Sequence, residues 1–101
     1  MWTEQIIRNA IDRNDMDVCK AVVTIYRKQT LSERNSYSTN VTNGVGFNKF
    51  DAEILTSFAK QIIRNQYAGR RYLLSYKQMA IARKRIRKYA GQLARIANGE
   101  I

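Results

Sequence analysis

Apolar residues recur at the spacing of an α-helix in four stretches of the chain, residues 3–13, 16–30, 51–66 and 75–97. Within each stretch they return every three or four residues, so each predicted helix has one apolar face that can be buried. The pattern predicts an all-α fold of about four helices that forms a single domain over residues 1–101.

Polar residues mark where the first three helices begin. Thr3 is placed to cap the first helix and Asp15 to cap the second, and the short break between them predicts a helical hairpin over residues 1–31. Either Asp51 or Asn48 can supply the cap of the third helix.

The last helix has the clearest boundaries. Ser75 and Gln78 match the S-x-x-Q capping box, which satisfies two backbone amides at a helix start. Gly69 follows the third helix in the position of a C′ glycine, and Asn98-Gly99 ends the last helix.

The helical periodicity is interrupted over residues 32–50, a 19-residue connection that is long for a compact domain. Asn43-Gly44 favours a tight turn, so a small β-hairpin is compatible with this loop. A glycine-rich loop before a helix can also hold a phosphate with its backbone amides, but the lysine of a P-loop is missing and turn geometry is the simpler interpretation. The loop residues considered for binding are Asn43, Gly44, Gly46, Phe47 and Asn48.

Charge divides the chain into two unequal halves. The formal net charge is +10, from 18 Lys and Arg against 8 Asp and Glu. Residues 1–53 carry seven basic and seven acidic side chains, whereas residues 54–101 carry eleven basic side chains and one acid, Glu100. This asymmetry predicts a partner that is a polyanion or an acidic protein surface.

The basic side chains of the last helix lie opposite its apolar face. On an ideal helix Lys77, Lys84, Lys88 and Arg95 form one line, which predicts that they bind phosphates as a group and that reversing the charge of Lys84 and Lys88 leaves the fold intact. Three further arginines flank this line: Arg83, Arg85 and Arg87.

Two tyrosines lie among cations just before this helix. Tyr72 and Tyr76 are next to Arg70, Arg71 and Lys77. Aromatic rings mixed with cations suit single-stranded DNA or RNA, because the rings stack on bases and the cations contact the backbone. The alternative for Tyr72 is a core position with its hydroxyl at the surface.

The residue types that are missing exclude several classes of function. Histidine and proline are absent and Cys19 is the single cysteine, so an intrachain disulfide, a Cys/His zinc site and a histidine-based triad are excluded. Cys19 is expected to be a small buried hydrophobe.

Asp51 and Glu53 are two residues apart on a helix and therefore do not face each other. A paired-carboxylate nuclease site requires two carboxylates that face each other, so this pair does not indicate one. No run of about 18 apolar residues suggests a membrane span. We expect a cytoplasmic protein that is not an enzyme and uses neither a cofactor nor a metal.

Two stretches of the sequence resemble a known module. The first is Asn-Gly-Val-Gly-Phe-Asn-x-x-Asp-Ala at residues 43–52, and the second runs from Leu74-Ser75-x-Lys-Gln to Lys88-Tyr89-x-x-Gln-Leu. Together they resemble a short module of phage and plasmid superfamily II helicases and of small stand-alone phage proteins. The resemblance implies a phage or mobile-element origin, a bacterial host and a role beside nucleic acid, without the helicase motor.

Three hypotheses of function follow. The first is a small nucleic-acid-binding accessory protein with little sequence specificity, for which single-stranded DNA or RNA is favoured. The second is a phage inhibitor of a host defence complex, of the anti-CRISPR type, that directs the same cationic face to an acidic protein or a guide-RNA surface. The third is a scaffold or homo-oligomerisation module that associates through Ile6, Ile7 and the helical hairpin.

Overall fold

The computed structural model describes residues 1–35 and 46–100, with side chains described for residues 1–30 and 46–100. The elements are α1 (Glu4–Arg13), α2 (Asp15–Asn35), α3 (Ala52–Tyr67), α4 (Tyr76–Ile86), a 3₁₀ turn (Arg87–Tyr89) and α5 (Ala90–Ala97). Because α4, the 3₁₀ turn and α5 follow one another without a gap, the described chain has four helical segments and no strand. The predicted all-α fold is confirmed. The turn predicted at Asn43-Gly44 lies outside the described residues.

The ends of α1 and α2 show one correct and one wrong cap prediction. The Thr3 hydroxyl accepts a hydrogen bond from the Ile6 amide at 3.2 Å, as predicted for the α1 cap. Asp15, however, is the first residue of α2 and does not cap it. The Asn14 Oδ1 accepts from the Met16 amide at 2.9 Å, while the Asp15 carboxylate pairs with Arg83. The Asp15 carboxylate, which the local sequence assigns to the cap, therefore pairs with the distant Arg83 instead.

The start of α3 is capped by Asn48, one of the two predicted alternatives. The Asn48 side-chain oxygen accepts from the Asp51 amide at 2.9 Å and its backbone oxygen accepts from the Ala52 amide at 2.9 Å. The Asp51 side chain makes no capping hydrogen bond. At the other end of α3, Gly69 adopts a φ of +70°, and the amides of Gly69 and Arg70 close a Schellman motif.

The core forms around α2, which packs against α1, α3, α4 and α5. The largest fully buried apolar side chains come from α1, α2, α3 and α4. They include Ile11 of α1, Val18, Val22 and Ile25 of α2, Leu55 and Ile62 of α3, and Ile86 of α4. Cys19 is also buried, as predicted, and its burial raises the pKa of the thiol. None of the described helices has the length and apolar character required to cross a membrane.

A pair of glutamines fixes how α3 lies beside α4. The Gln61 amide nitrogen donates to the Gln78 side-chain oxygen at 2.7 Å, and the Gln78 nitrogen donates back at 3.0 Å. Arg85, near the end of α4, reaches Asp51 at the start of α3. The two helices therefore run antiparallel. Both pack on α2, so their sides turned away from α2 form one outer surface.

Substitutions of two isoleucines of α4, one buried and one exposed, test whether the buried face of this helix stabilises the fold. Ile86 is 0% exposed and Ile81 is 38% exposed. Ile86→Asp is expected to lower the free energy of unfolding by about 4 kcal/mol or more, because it buries an unpaired charge, whereas Ile81→Asp is expected to cost about 1 kcal/mol or less. Urea unfolding followed by far-UV circular dichroism measures both. Equal effects of the two substitutions would contradict the packing described here.

Candidate nucleic-acid interface

Ion pairs within the fold engage four of the seven cations predicted on the basic face of the last helix. Arg83 pairs with Asp15, and its Nε also donates to the Ile11 carbonyl at 2.9 Å. Arg87 pairs with Asp12 at 3.1 Å. Arg85 and Lys88 both pair with a third carboxylate, that of Asp51. These four side chains serve first to hold the last helical segment against α1, α2 and α3.

Asp51 is the centre of the densest polar network in the described residues. Its side chain is 0% exposed and accepts from Lys88 Nζ at 2.7 Å, from Arg85 at 2.9 Å and from the Tyr89 hydroxyl at 2.8 Å. Burial alone would raise the pKa of Asp51, but the hydrogen bonds from Lys88, Tyr89 and Arg85 outweigh it and hold the pKa below its usual range. Burial and the adjacent carboxylate raise the pKa of Tyr89 to about 12, so its hydroxyl stays protonated and donates to Asp51.

Three of the five predicted loop residues, Gly46, Phe47 and Asn48, are held by contacts within the fold, and the last two contact Tyr89 of this network. The Asn48 amide donates to the Tyr89 hydroxyl at 2.8 Å, and the Phe47 amide donates to Gln29 at 2.9 Å. The Phe47 ring meets the Tyr89 ring edge to face, with centroids 5.6 Å apart. These backbone amides are thus occupied by the fold. The other two candidates, Asn43 and Gly44, lie outside the described residues.

Gly46 occupies a position that only glycine fits. Its amide donates to the Gln92 side-chain oxygen at 3.0 Å and its carbonyl accepts from the Gln92 nitrogen at 3.2 Å. Its φ is +142°, and a Cβ there would lie 2.9 Å from Gln29 Oε1. The described residues before α3 therefore contact the last helical segment directly, and the Gly46–Gln92 hydrogen bonds hold them there.

Four cations that the fold does not pair lie together on the outer sides of α3 and α4. Lys60 and Arg64 lie one residue before and three residues after Gln61, and Lys77 and Lys84 lie one before and six after Gln78. In an antiparallel pair, such offsets from the facing glutamines fall on the same side of both helices. All four side chains are exposed and make no ion pair with any other described residue. We call these four residues the α3–α4 basic surface.

This surface differs from the predicted line of cations in three ways. Lys88 belongs to the Asp51 network, so its charge reversal would place a second carboxylate beside a buried one and the fold would not be left intact. A 3₁₀ turn winds its residues more tightly than an α-helix, and an ideal one of three residues would rotate Arg95 by about 60° from the predicted line. Lys60 and Arg64 were not among the candidate residues predicted from the sequence. Their four-residue spacing, away from the apolar residues of α3, indicates that they lie together on its polar face.

Three tyrosines at the α3–α4 connection are almost wholly exposed: Tyr67 at 96%, Tyr72 at 74% and Tyr76 at 92%. The core position considered for Tyr72 is therefore wrong. The Arg71 guanidinium lies over the Tyr72 ring, 5.6 Å from its centroid. Arg70 and Arg71 are exposed and make no ion pair with another described residue. The connection thus carries cations and free aromatic rings together.

The buried carboxylate predicts how stability depends on pH. A depressed pKa means that Asp51 stabilises the fold above the unfolded-state pKa of about 3.9, and that this stability is lost as the pH falls through the lower folded-state value. Asp51→Asn is expected to lower the free energy of unfolding by about 2–3 kcal/mol at neutral pH, because it leaves Arg85 and Lys88 without their anion.

Glu53→Gln is the matched control, because Glu53 is exposed and makes no ion pair with a described residue. It is expected to change stability by no more than about 0.5 kcal/mol. Urea unfolding of both variants at neutral and acidic pH makes the comparison. The network would be unimportant if Asp51→Asn lost no more stability than Glu53→Gln at neutral pH.

Comparison with known proteins finds no relative of this chain. No protein-family model matches the chain. No curated protein is similar to it by sequence. No solved structure matches it either.

Proposed function

We propose that this protein binds single-stranded nucleic acid, as a small accessory protein without catalytic activity. The observation that carries the proposal is the placement of three exposed tyrosines at the end of the α3–α4 basic surface, among cations that the fold does not use. Affinity would come from phosphate contacts and from stacking of bases on the rings.

The electrostatic part of the proposal rests on charges that are free to meet phosphate. An arginine that already pairs with a carboxylate loses that pair when it binds a phosphate. Lys60, Arg64, Lys77 and Lys84 make no such pair within the described residues, so each can release a counterion from the strand without a loss inside the protein. Binding is therefore expected to weaken steeply as salt rises.

The aromatic part favours a single strand over a duplex. Bases in a duplex hide their faces in the stack, whereas an unpaired strand exposes them to tyrosine rings. Groups that read base edges are few: Gln78 is engaged by Gln61 and by the Ser75 amide, so its amide is not available. Little sequence specificity is expected.

Binding measurements with three probes test the proposal. Fluorescently labelled single-stranded DNA, single-stranded RNA and duplex DNA of equal length are titrated at a low and a high salt concentration. Tighter binding of the single strands, with a strong salt dependence, is the expected result. Failure of every probe to bind at low salt would overturn the proposal and favour the inhibitor hypothesis, which requires a protein complex that survives nuclease treatment.

A charge reversal of two lysines tests the surface itself. Lys77→Glu with Lys84→Glu is expected to weaken binding of a single strand at least tenfold and to reduce the slope of log K against log salt by about 1.4 or more, the share of two phosphate contacts. Both residues are exposed, and an acidic residue in the first turn of α4 is compatible with the helix dipole.

The chain offers a closely matched control in Lys20→Glu with Arg27→Glu. These two exposed residues of α2 have the same seven-residue spacing and change the net charge by the same amount. They should reduce affinity only slightly. If both double variants bind equally weakly, the effect is one of net charge and the α3–α4 basic surface is not the binding site.

A further inference from the structure

A cavity of about 740 Å³ lies beside the exposed tyrosines, between the start of α2, the segment before α4 and the first turns of α4. Its volume falls within the range of about 300–1,000 Å³ that small-molecule sites occupy. Leu74, Met79 and Cys19 are among the side chains of its floor, and Arg71, Tyr72 and Tyr76 line it as well. The cavity therefore combines an apolar interior with aromatic rings and a cation.

We propose that one unstacked base of the bound strand enters this cavity. The inference rests on the proposed function and names the part of the strand that the site takes. A nucleobase is flat and largely apolar on its faces, which suits Leu74 and Met79, and its backbone phosphate requires a cation at the entrance. Arg71, held over the Tyr72 ring, supplies that cation.

The cavity and the α3–α4 basic surface have adjacent residues of α4. Tyr76 lines the cavity, and the next residue, Lys77, belongs to the basic surface. A strand whose phosphates follow Lys84 and Lys77 would thus pass the ring of Tyr76 with its next base beside the cavity. Asp15 and Arg83 also line the cavity and pair with each other, so no unpaired acid of the lining repels the strand.

The experiment separates base insertion from phosphate contact. Oligothymidylate and the same strand with all bases removed carry equal charge, so a difference in their affinity reports contacts to bases. Oligothymidylate is expected to bind at least tenfold more tightly, since stacking on protein rings has an effect of that size. Equal affinity of the two strands would overturn the inference together with the stacking part of the proposed function, and would leave only its phosphate contacts standing.

A cavity-filling variant locates the base contact. Ala80 lines the cavity and is exposed, so Ala80→Trp fills it without a change in charge. The variant is expected to bind oligothymidylate about tenfold more weakly and the base-free strand with unchanged affinity. Ala97→Trp, on exposed α5 surface outside this cavity, is the control and should bind both strands as the unmodified protein does. An Ala80→Trp protein with unchanged affinity for oligothymidylate would overturn the inference.

A mononucleotide separates a base held by the cavity alone from a base that enters it from a bound strand. Thymidine monophosphate is expected to bind far more weakly than oligothymidylate, because it makes fewer phosphate contacts with the α3–α4 basic surface. Binding of the mononucleotide as tight as that of the strand would exclude base insertion from a bound strand. Failure of both strands to bind at low salt would instead refute the proposed function.

Discussion

The buried carboxylate of Asp51 needs three hydrogen-bond donors, and all three come from one stretch of the last helical segment. Moving a charge out of water costs several kcal/mol unless partners surround it, so Arg85, Lys88 and Tyr89 must stay close to the start of α3. The Tyr89 hydroxyl in turn accepts a hydrogen bond from the Asn48 amide, which holds the loop before α3 close to the same network. This network and the apolar contacts with α2 together position α4 beside α3.

The network also decides which cations can serve a partner. Acids of the neutral half fold back onto the basic half: Asp12 meets Arg87, Asp15 meets Arg83, and Asp51 meets two cations. The last helical segment is therefore less available to a polyanion than its composition indicates. Of the positive charge that is not engaged in this way, four side chains lie together on the outer sides of α3 and α4, and Arg70 and Arg71 lie in their connection. Because the α3–α4 basic surface spans two helices, it is broader than the single line of cations predicted on the last helix.

Local features of the fold were predictable from the sequence, and distant ones were not. The caps at Thr3 and Ser75 and the glycine at position 69 depend on neighbours within a few residues, and each was predicted correctly. The ion pair between Asp15 and Arg83 joins residues 68 positions apart, and no periodicity indicates such a contact. For the same reason Asp51 suggested a helix cap, although its carboxylate serves the opposite helix. The 3₁₀ turn at residues 87–89 was not predicted either, because the apolar residues before, within and after it keep one helical spacing in the sequence.

The connection between α3 and α4 shows which residues the fold leaves unconstrained. Several of its backbone groups are satisfied by the Schellman motif at Gly69, by the Ser75–Gln78 capping box and by Asn65, whose side chain donates to the Leu73 carbonyl. Leu73 and Leu74 supply its buried side chains. The rings of Tyr72 and Tyr76 contribute to none of these interactions, and large apolar rings in water are unfavourable for stability and solubility. Small polar residues would meet the structural requirements at these positions equally well. The requirements of the fold therefore do not account for the aromatic character of this connection, and this supports the proposed stacking of unpaired bases on its rings.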